Sequence, residues 1–173
     1  MGTLILISGP NDSGKSGFAE HLVSRTEGGR YYIATMIPRT QGNHIRVEKH
    51  KKQREGLGFT TLELPYRVAD APVSPDSVVL LEDVSNLLAN VIFEKGGNGS
   101  TVCGDILALA ARCRLLIAVT ISGLPAADYT GETLNYITVL NEVNTRLFEN
   151  AGGAVSMCAG VPLWQKGDLD VIF

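Results

Sequence analysis

Short apolar runs recur along the chain: TLILIS (3–8), YYIAT (31–35), FTTLEL (59–64), SVVLLED (77–83), RLLIAVTI (114–121) and AVSMCAG (154–160). The first is rich in Ile and Leu and ends at Gly-Pro, which is how a strand buried on both faces reads, and the others repeat that signature. Segments that permit a helix separate most of them. Residues 15–25 follow the first run, and VSNLLANVIFEK (84–95) carries apolar residues at helical spacing. ETLNYITVLNEVNTRLFENAGG (132–153) is the longest helix candidate, with a glycine pair placed to cap its C-terminus. Strand and helix in alternation predict βαβ units, and so an α/β fold with a mainly parallel sheet covered by helices on both faces. GGNGS (96–100) reads as a surface loop, and VPLWQKGDLDVIF (161–173) as a terminal strand or a subunit contact. There is no internal repeat.

Composition narrows the class. A chain of 173 residues builds one domain with a real core, here taken as 1–173. With 45% hydrophobic and 19% charged residues it is ordinary for a globular protein, and no apolar run reaches the roughly 18 residues that span a bilayer. The N-terminus lacks a cationic start and a small-residue cleavage site, so the expected compartment is the cytoplasm. Cys103, Cys113 and Cys158 form no CxxC pair and are expected to be buried, reduced thiols. A net charge of −3 argues against a broad nucleic-acid surface. A polyanion, if bound, must be small and locally received.

A local receptor for one stands at the start of the chain. GPNDSGKS satisfies G-x-x-x-x-G-K-[ST] through Gly9, Pro10, Asn11, Asp12, Ser13, Gly14, Lys15 and Ser16, after a buried strand and before a helix. The glycines let backbone N–H groups turn inward, and the helix N-terminus adds partial positive charge where phosphate oxygens sit. A P-loop NTPase-like fold follows. Lys15 is expected to bridge the β and γ phosphates, and the Ser16 hydroxyl to ligate Mg2+. SVVLLED supplies Glu82, placed either to be a second magnesium ligand or a plain surface acid at a strand terminus, with Asp83 next to it.

RVEKHKKQR (46–54) spaces Arg46, His50 and Arg54 at i, i+4 and i+8, one face of a helix, with Lys49, Lys51 and Lys52 beside them. Clustered cations depress an imidazole pKa and leave a neutral nitrogen able to attack a phosphorus, while the guanidinium groups hold oxygens. The same run also fits a solvated helix face. His21 and His44 are expected near solvent.

GPNDSGKS, YYIAT, RVEKHKKQR, VVLLEDVSNLLANVIFE and NEVNTRL occur in one order over roughly residues 3 to 165, and in this the chain resembles the bifunctional adenosylcobinamide kinase / adenosylcobinamide-phosphate guanylyltransferase family of cobalamin biosynthesis. Arg46, Val47 and His50 meet its most specific element, Arg-[Ile/Val]-x-x-His. The resemblance implies that His50 carries GMP as a phosphoramidate for transfer to adenosylcobinamide phosphate. It also implies that Lys15, Ser16 and Glu82 serve a kinase acting on the aminopropanol hydroxyl of adenosylcobinamide, and that the protein is a homotrimer. Arg46 and Arg54 are the expected triphosphate contacts. Three departures from the family pattern are Asp12 where Arg is common, ISGLP (121–125) in place of Asn-Glu-Val-Gly, and YTGETLNYITVL before NEVNTRL. The rival readings are a phosphate-loop kinase with a single transfer step and a nucleotide-binding regulator whose catalysis has decayed.

Overall fold

The computed structural model describes residues 2–172. Its strands are β1 (Thr3–Gly9), β2 (Arg30–Ala34), β3 (Phe59–Glu63), β4 (Val78–Glu82), β5 (Leu115–Ile121), β6 (Gly153–Cys158) and β7 (Val161–Lys166). They form one seven-stranded sheet in the order β3-β2-β4-β5-β1-β6-β7. Every pairing is parallel except β6 with β7. The helices are α1 (Lys15–Ser24), α2 (Gln41–Arg54), α3 (Val84–Lys95), α4 (Val102–Arg112) and α5 (Gly131–Asn150).

Alternation along the strands sorts the core into two layers. Leu4, Leu6, Val79 and Leu81 pack with Leu88 of α3, Leu109 of α4 and Leu140 of α5. Ile5, Ile7, Leu80 and Ile117 face the other way, against Leu22 of α1 and Trp164 of β7. Each such side chain contributes about 1.5–3 kcal/mol when fully buried. The mainly parallel sheet with helices on both faces is therefore as the periodicity implied, and the terminal segment supplies its antiparallel edge strand.

Two local expectations are corrected. The glycine pair after α5 is not a left-handed cap: Ala151 closes the helix in an extended conformation, and Gly152 donates its N–H to the Leu4 carbonyl at 2.9 Å. Gly153 is needed for space instead, because a Cβ there would stand 2.8 Å from Ile5 Cδ1. Cys103 and Cys113 are buried, but Cys158 lies exposed at the end of β6. Among the described residues no helix is long and apolar enough to cross a membrane.

Candidate functional site

The carboxyl edge of a parallel sheet is where crevices open between strands whose connections run in opposite directions. Here β1 delivers the chain at Gly9 into a tight loop that enters α1 at Lys15. Gly9 has φ 156°, and a Cβ on it would meet the Met157 carbonyl at 2.7 Å. The turn joining β6 to β7 braces the loop from outside, its Gly160 N–H donating to the Ser13 carbonyl at 3.0 Å. Asp12 takes a left-handed φ of 56°, which aspartate tolerates, and stands exposed at the rim. Pro10 is likewise exposed.

Lys15 curls back over this loop, its Nζ donating to the Pro10 carbonyl at 2.5 Å and to Ser13 Oγ at 3.5 Å. Burial lowers its pKa, against the opposing pull of Asp83, Glu82 and Asp12. One residue on, Ser16 Oγ donates to Glu82 Oε1 at 2.5 Å, joining the start of α1 to the tip of β4. The second oxygen of Glu82, Oε2, is inaccessible to solvent and has no partner. Burial, reinforced by the neighbouring Asp83, pushes this carboxyl up to about 8 although the Ser16 hydrogen bond opposes the rise. Asp83 is fixed otherwise: it caps α3, accepting from the Asn86 N–H at 2.7 Å and from Ser85 Oγ at 2.6 Å.

Thr40 caps α2, its Oγ1 accepting from the Asn43 N–H at 3.2 Å. This helix is polar around nearly its whole circumference and buries only Arg54. It lies across from the loop and closes a cleft of about 570 Å3. Residues Asn11 to Gly17, Glu82 and Asp83 line one side, and Arg46, Lys49 and His50 the other. The structure thus brings together the loop, Ser16, Glu82, Arg46 and His50. Burial lowers the His50 pKa, and the positive charges of Arg54, Arg46 and Lys49 lower it further. Its Nδ1 is buried and unpartnered.

Arg54 is placed differently from Arg46. It turns inward, 8% exposed, with its guanidinium carbon 3.4 Å from the centroid of the Tyr32 ring. It lines a second cleft of about 450 Å3 that shares Arg46, His50, Glu82 and Asp83 with the first. His50 therefore stands between two cavities. His44 is exposed on the rim of the second, and His21 is exposed on α1 outside both.

Two participants were not singled out from the sequence. Tyr32 carries the Arg54 stack, and Glu20 of α1 is buried, its carboxyl raised by burial while the charge of Arg54 opposes. Glu20 Oε1 and Arg54 Nη1 are both buried without a partner. An acid beside Ala19 in the buried stripe with Leu22 and Val23 was the available signal for Glu20.

Residues 5–164 match the model of the family described as "Cobinamide kinase / cobinamide phosphate guanyltransferase". The chain belongs to this family. A member, the "Bifunctional adenosylcobalamin biosynthesis protein CobU" of Escherichia coli (strain K12), is 32% identical over 97 residues, 55% of this chain and 53% of that protein. The match thus spans about half the length of that relative. Among solved structures, the guanyltransferase-family chain is similar to a prototypical ATPase from the type III secretion system of pathogenic bacteria, with a TM-score of 0.56 at 10% identity over 99% of this chain and 60% of the other. It is also similar to the ATP synthase subunit NeqB from Nanoarcheaum equitans, with a TM-score of 0.51 at 12% identity over 90% and 46%. Both are ATPase-type α/β folds, and at these identities the likeness concerns fold.

One consequence can be tested at the rim. Asp12 adds a negative charge at the rim of the loop, so Asp12→Asn is expected to tighten nucleotide binding by roughly twofold to fivefold at low salt. Asparagine keeps the tolerance for positive φ. Titration calorimetry at low and high salt measures it, and the gain should shrink as salt screens the charge.

Proposed function

We propose that this protein is a bifunctional transferase of cobalamin biosynthesis, phosphorylating adenosylcobinamide with GTP or ATP and passing GMP from GTP to the phosphorylated product. The observation that carries this reading is the position of His50: an imidazole whose pKa is lowered by burial and neighbouring cations, on the wall of the cleft that Lys15, Ser16 and Glu82 also line. In the kinase step the aminopropanol hydroxyl oxygen attacks the γ phosphorus, the bond to the β–γ bridging oxygen breaks, and the hydroxyl proton is lost to water. In the transferase step a His50 ring nitrogen attacks the α phosphorus of GTP. A P–N bond forms, the P–O bond to the β phosphate breaks, and pyrophosphate leaves. The phosphate oxygen of the acceptor then attacks the same phosphorus, and the P–N electron pair returns to imidazole. Covalent catalysis divides a transfer between two bulky anions into two smaller steps.

The loop N–H groups and Lys15 hold the β and γ oxygens, and Arg46 with Lys49 faces them from α2. The residues present fit a magnesium ion. Glu82 holds an unpartnered buried oxygen against the Ser16 hydroxyl, and one carboxylate with one hydroxyl, completed by phosphate oxygens and water, is how Mg2+ is commonly bound. Bound there, the ion would neutralise charge on the leaving phosphates. The reading takes the chain as a single cytoplasmic domain acting on nucleotide and corrinoid substrates as a homotrimer. Exposed Val161 and Leu163 on the β7 edge and Phe148 on α5 offer apolar surface for a second copy.

The test is to incubate the protein with magnesium and GTP labelled at either the α or the γ phosphate, then denature it. Acid-labile label is expected to stay on the chain from α-labelled GTP only. Because the His50 pKa is lowered, labelling should fall off at a more acidic pH than it would for an ordinary imidazole. No label with intact GTP binding would overturn the transferase and leave a kinase.

A further inference from the structure

We propose that Glu20, Arg54 and Tyr32 form a buried anchor that sets the depth and rotation of α2, and that Glu20 and Arg54 are thereby positioning residues for His50. This role rests on the reading of His50 as the group that attacks the α phosphorus. A helix on a protein surface is ordinarily seated by an apolar stripe, and α2 has none. Val47, His50 and Arg54, at i, i+3 and i+7, make its inward face. The first two are half-buried, and only Arg54 is buried. Just before the helix Arg39 pairs with Glu94 of α3, and just after it Arg30 Nη1 donates to the Leu57 carbonyl at 2.8 Å. Between these ties the Arg54 guanidinium is the one group of α2 that enters the fold.

Its seat is specific. The Tyr32 ring that carries the guanidinium is itself held edge-on to Phe59, with ring centroids 6.0 Å apart. Glu20 supplies the opposite charge from α1, and the Arg54 charge draws down a carboxyl pKa that burial raises. Burial and Glu82 raise the pKa of the Tyr32 hydroxyl, and the charges of Arg54 and Glu20 act on it in opposite senses. Among the described residues no ion pair joins Glu20 to Arg54. They act on each other across a short stretch of interior, where screening is weak. Glu20 lies five residues after Lys15, so the anchor links the helix that begins at the phosphate loop to the helix that carries the imidazole. Attack requires the reacting atoms to stand about 3–3.5 Å apart, and a displacement of about 1 Å costs on the order of a hundredfold. Phosphorylation of an alcohol does not use the imidazole and is spared.

The experiment compares the full chain with Glu20→Gln, Arg54→Lys and Tyr32→Phe. Glu20 lines neither cleft, so its effect on His50 has to pass through the anchor. Glutamine keeps the shape of Glu20 and removes its charge, lysine keeps the charge of Arg54 and loses the planar group that stacks, and phenylalanine keeps the ring face of Tyr32. Glu20→Gln and Arg54→Lys should slow incorporation of α label at saturating magnesium and GTP by about tenfold to a hundredfold, and Tyr32→Phe should stay near wild type. In Glu20→Gln, GDP affinity and γ transfer to adenosylcobinamide should change by less than about threefold. Amide hydrogen exchange across residues 41–54 should quicken by about tenfold in Glu20→Gln and Arg54→Lys, and not across α3 or α5. The double variant should label no more slowly than the slower single one, since both break the same anchor. Unchanged exchange of α2 in Glu20→Gln would overturn the proposal. So would a parallel fall of α and γ transfer, which would make Glu20 a support of α1 and its loop. A wild type that takes no α label, while α2 exchange still responds to Glu20→Gln, would keep the anchor and overturn the His50 step alone.

Discussion

The His50→Ala protein is expected to lose guanylyl transfer by at least about a thousandfold while phosphorylation of adenosylcobinamide stays within a few fold of wild type. On the proposed mechanism the imidazole forms the bond that defines the intermediate, and its removal leaves no group on α2 to replace it. The other α2 side chains on the cleft wall are Arg46 and Lys49, both cationic, and Gln53, an amide. The proposed kinase step draws on the loop, Lys15, Ser16 and Glu82, none of which His50 touches through a hydrogen bond. Nor should the fold suffer. His50 Nδ1 has no partner, so its loss orphans no other group, and alanine is the better helix former in the middle of α2. Separate assays with γ-labelled and α-labelled GTP check the split. Equal loss of both activities, at an unchanged melting temperature, would show that the imidazole serves a shared step and would remove it as a dedicated nucleophile.

The separation is possible because the two halves of the site come from different levels of the sequence. GPNDSGKS is contiguous, and its position between a buried strand and a helix already fixes how its backbone must turn; the Ser16–Glu82 contact follows once β4 lies near β1. The α2 face was legible as a spacing, and Arg46 and His50 do share the cleft wall. What spacing could not supply is depth along that face. Arg54 sits one turn beyond His50, where the helix descends toward β2, and there it stacks on Tyr32 instead of lining the loop cleft. That placement depends on strand order, which puts β2 beside β4, and no periodicity encodes it. The same holds for Glu20, whose acid is read correctly only when Tyr32 and Arg54 are known to stand opposite. The glycine pair at 152–153 was misread for a related reason: its role is space against Ile5, a contact distant in sequence.

Lys15→Met is expected to abolish both activities and weaken GTP binding by about a hundredfold, yet not to lower the melting temperature. The functional loss follows from what the ammonium does. In the proposed reading it is the cation that meets the β and γ phosphates, and a thioether offers neither charge nor donor. The stability claim turns on sign. Burial lowers the Lys15 pKa despite the opposing attraction of Asp83, Glu82 and Asp12, so the fold on balance disfavours the charged form. A lysine whose folded pKa lies below its unfolded value costs stability at any pH where the unfolded chain holds the proton, and neutral pH is such a condition. Methionine matches the length of the stem and removes that cost. Two losses oppose it, the hydrogen bond to the Pro10 carbonyl and the partial neutralisation of Glu82, but the Glu82 carboxyl, already raised to about 8, can hold its proton instead. Thermal melts of the two proteins at pH 7, beside their GTP titrations, decide the point. A clear drop in melting temperature would mean that Lys15 braces the loop in its own right, and its loss of activity would then report folding as much as phosphate recognition.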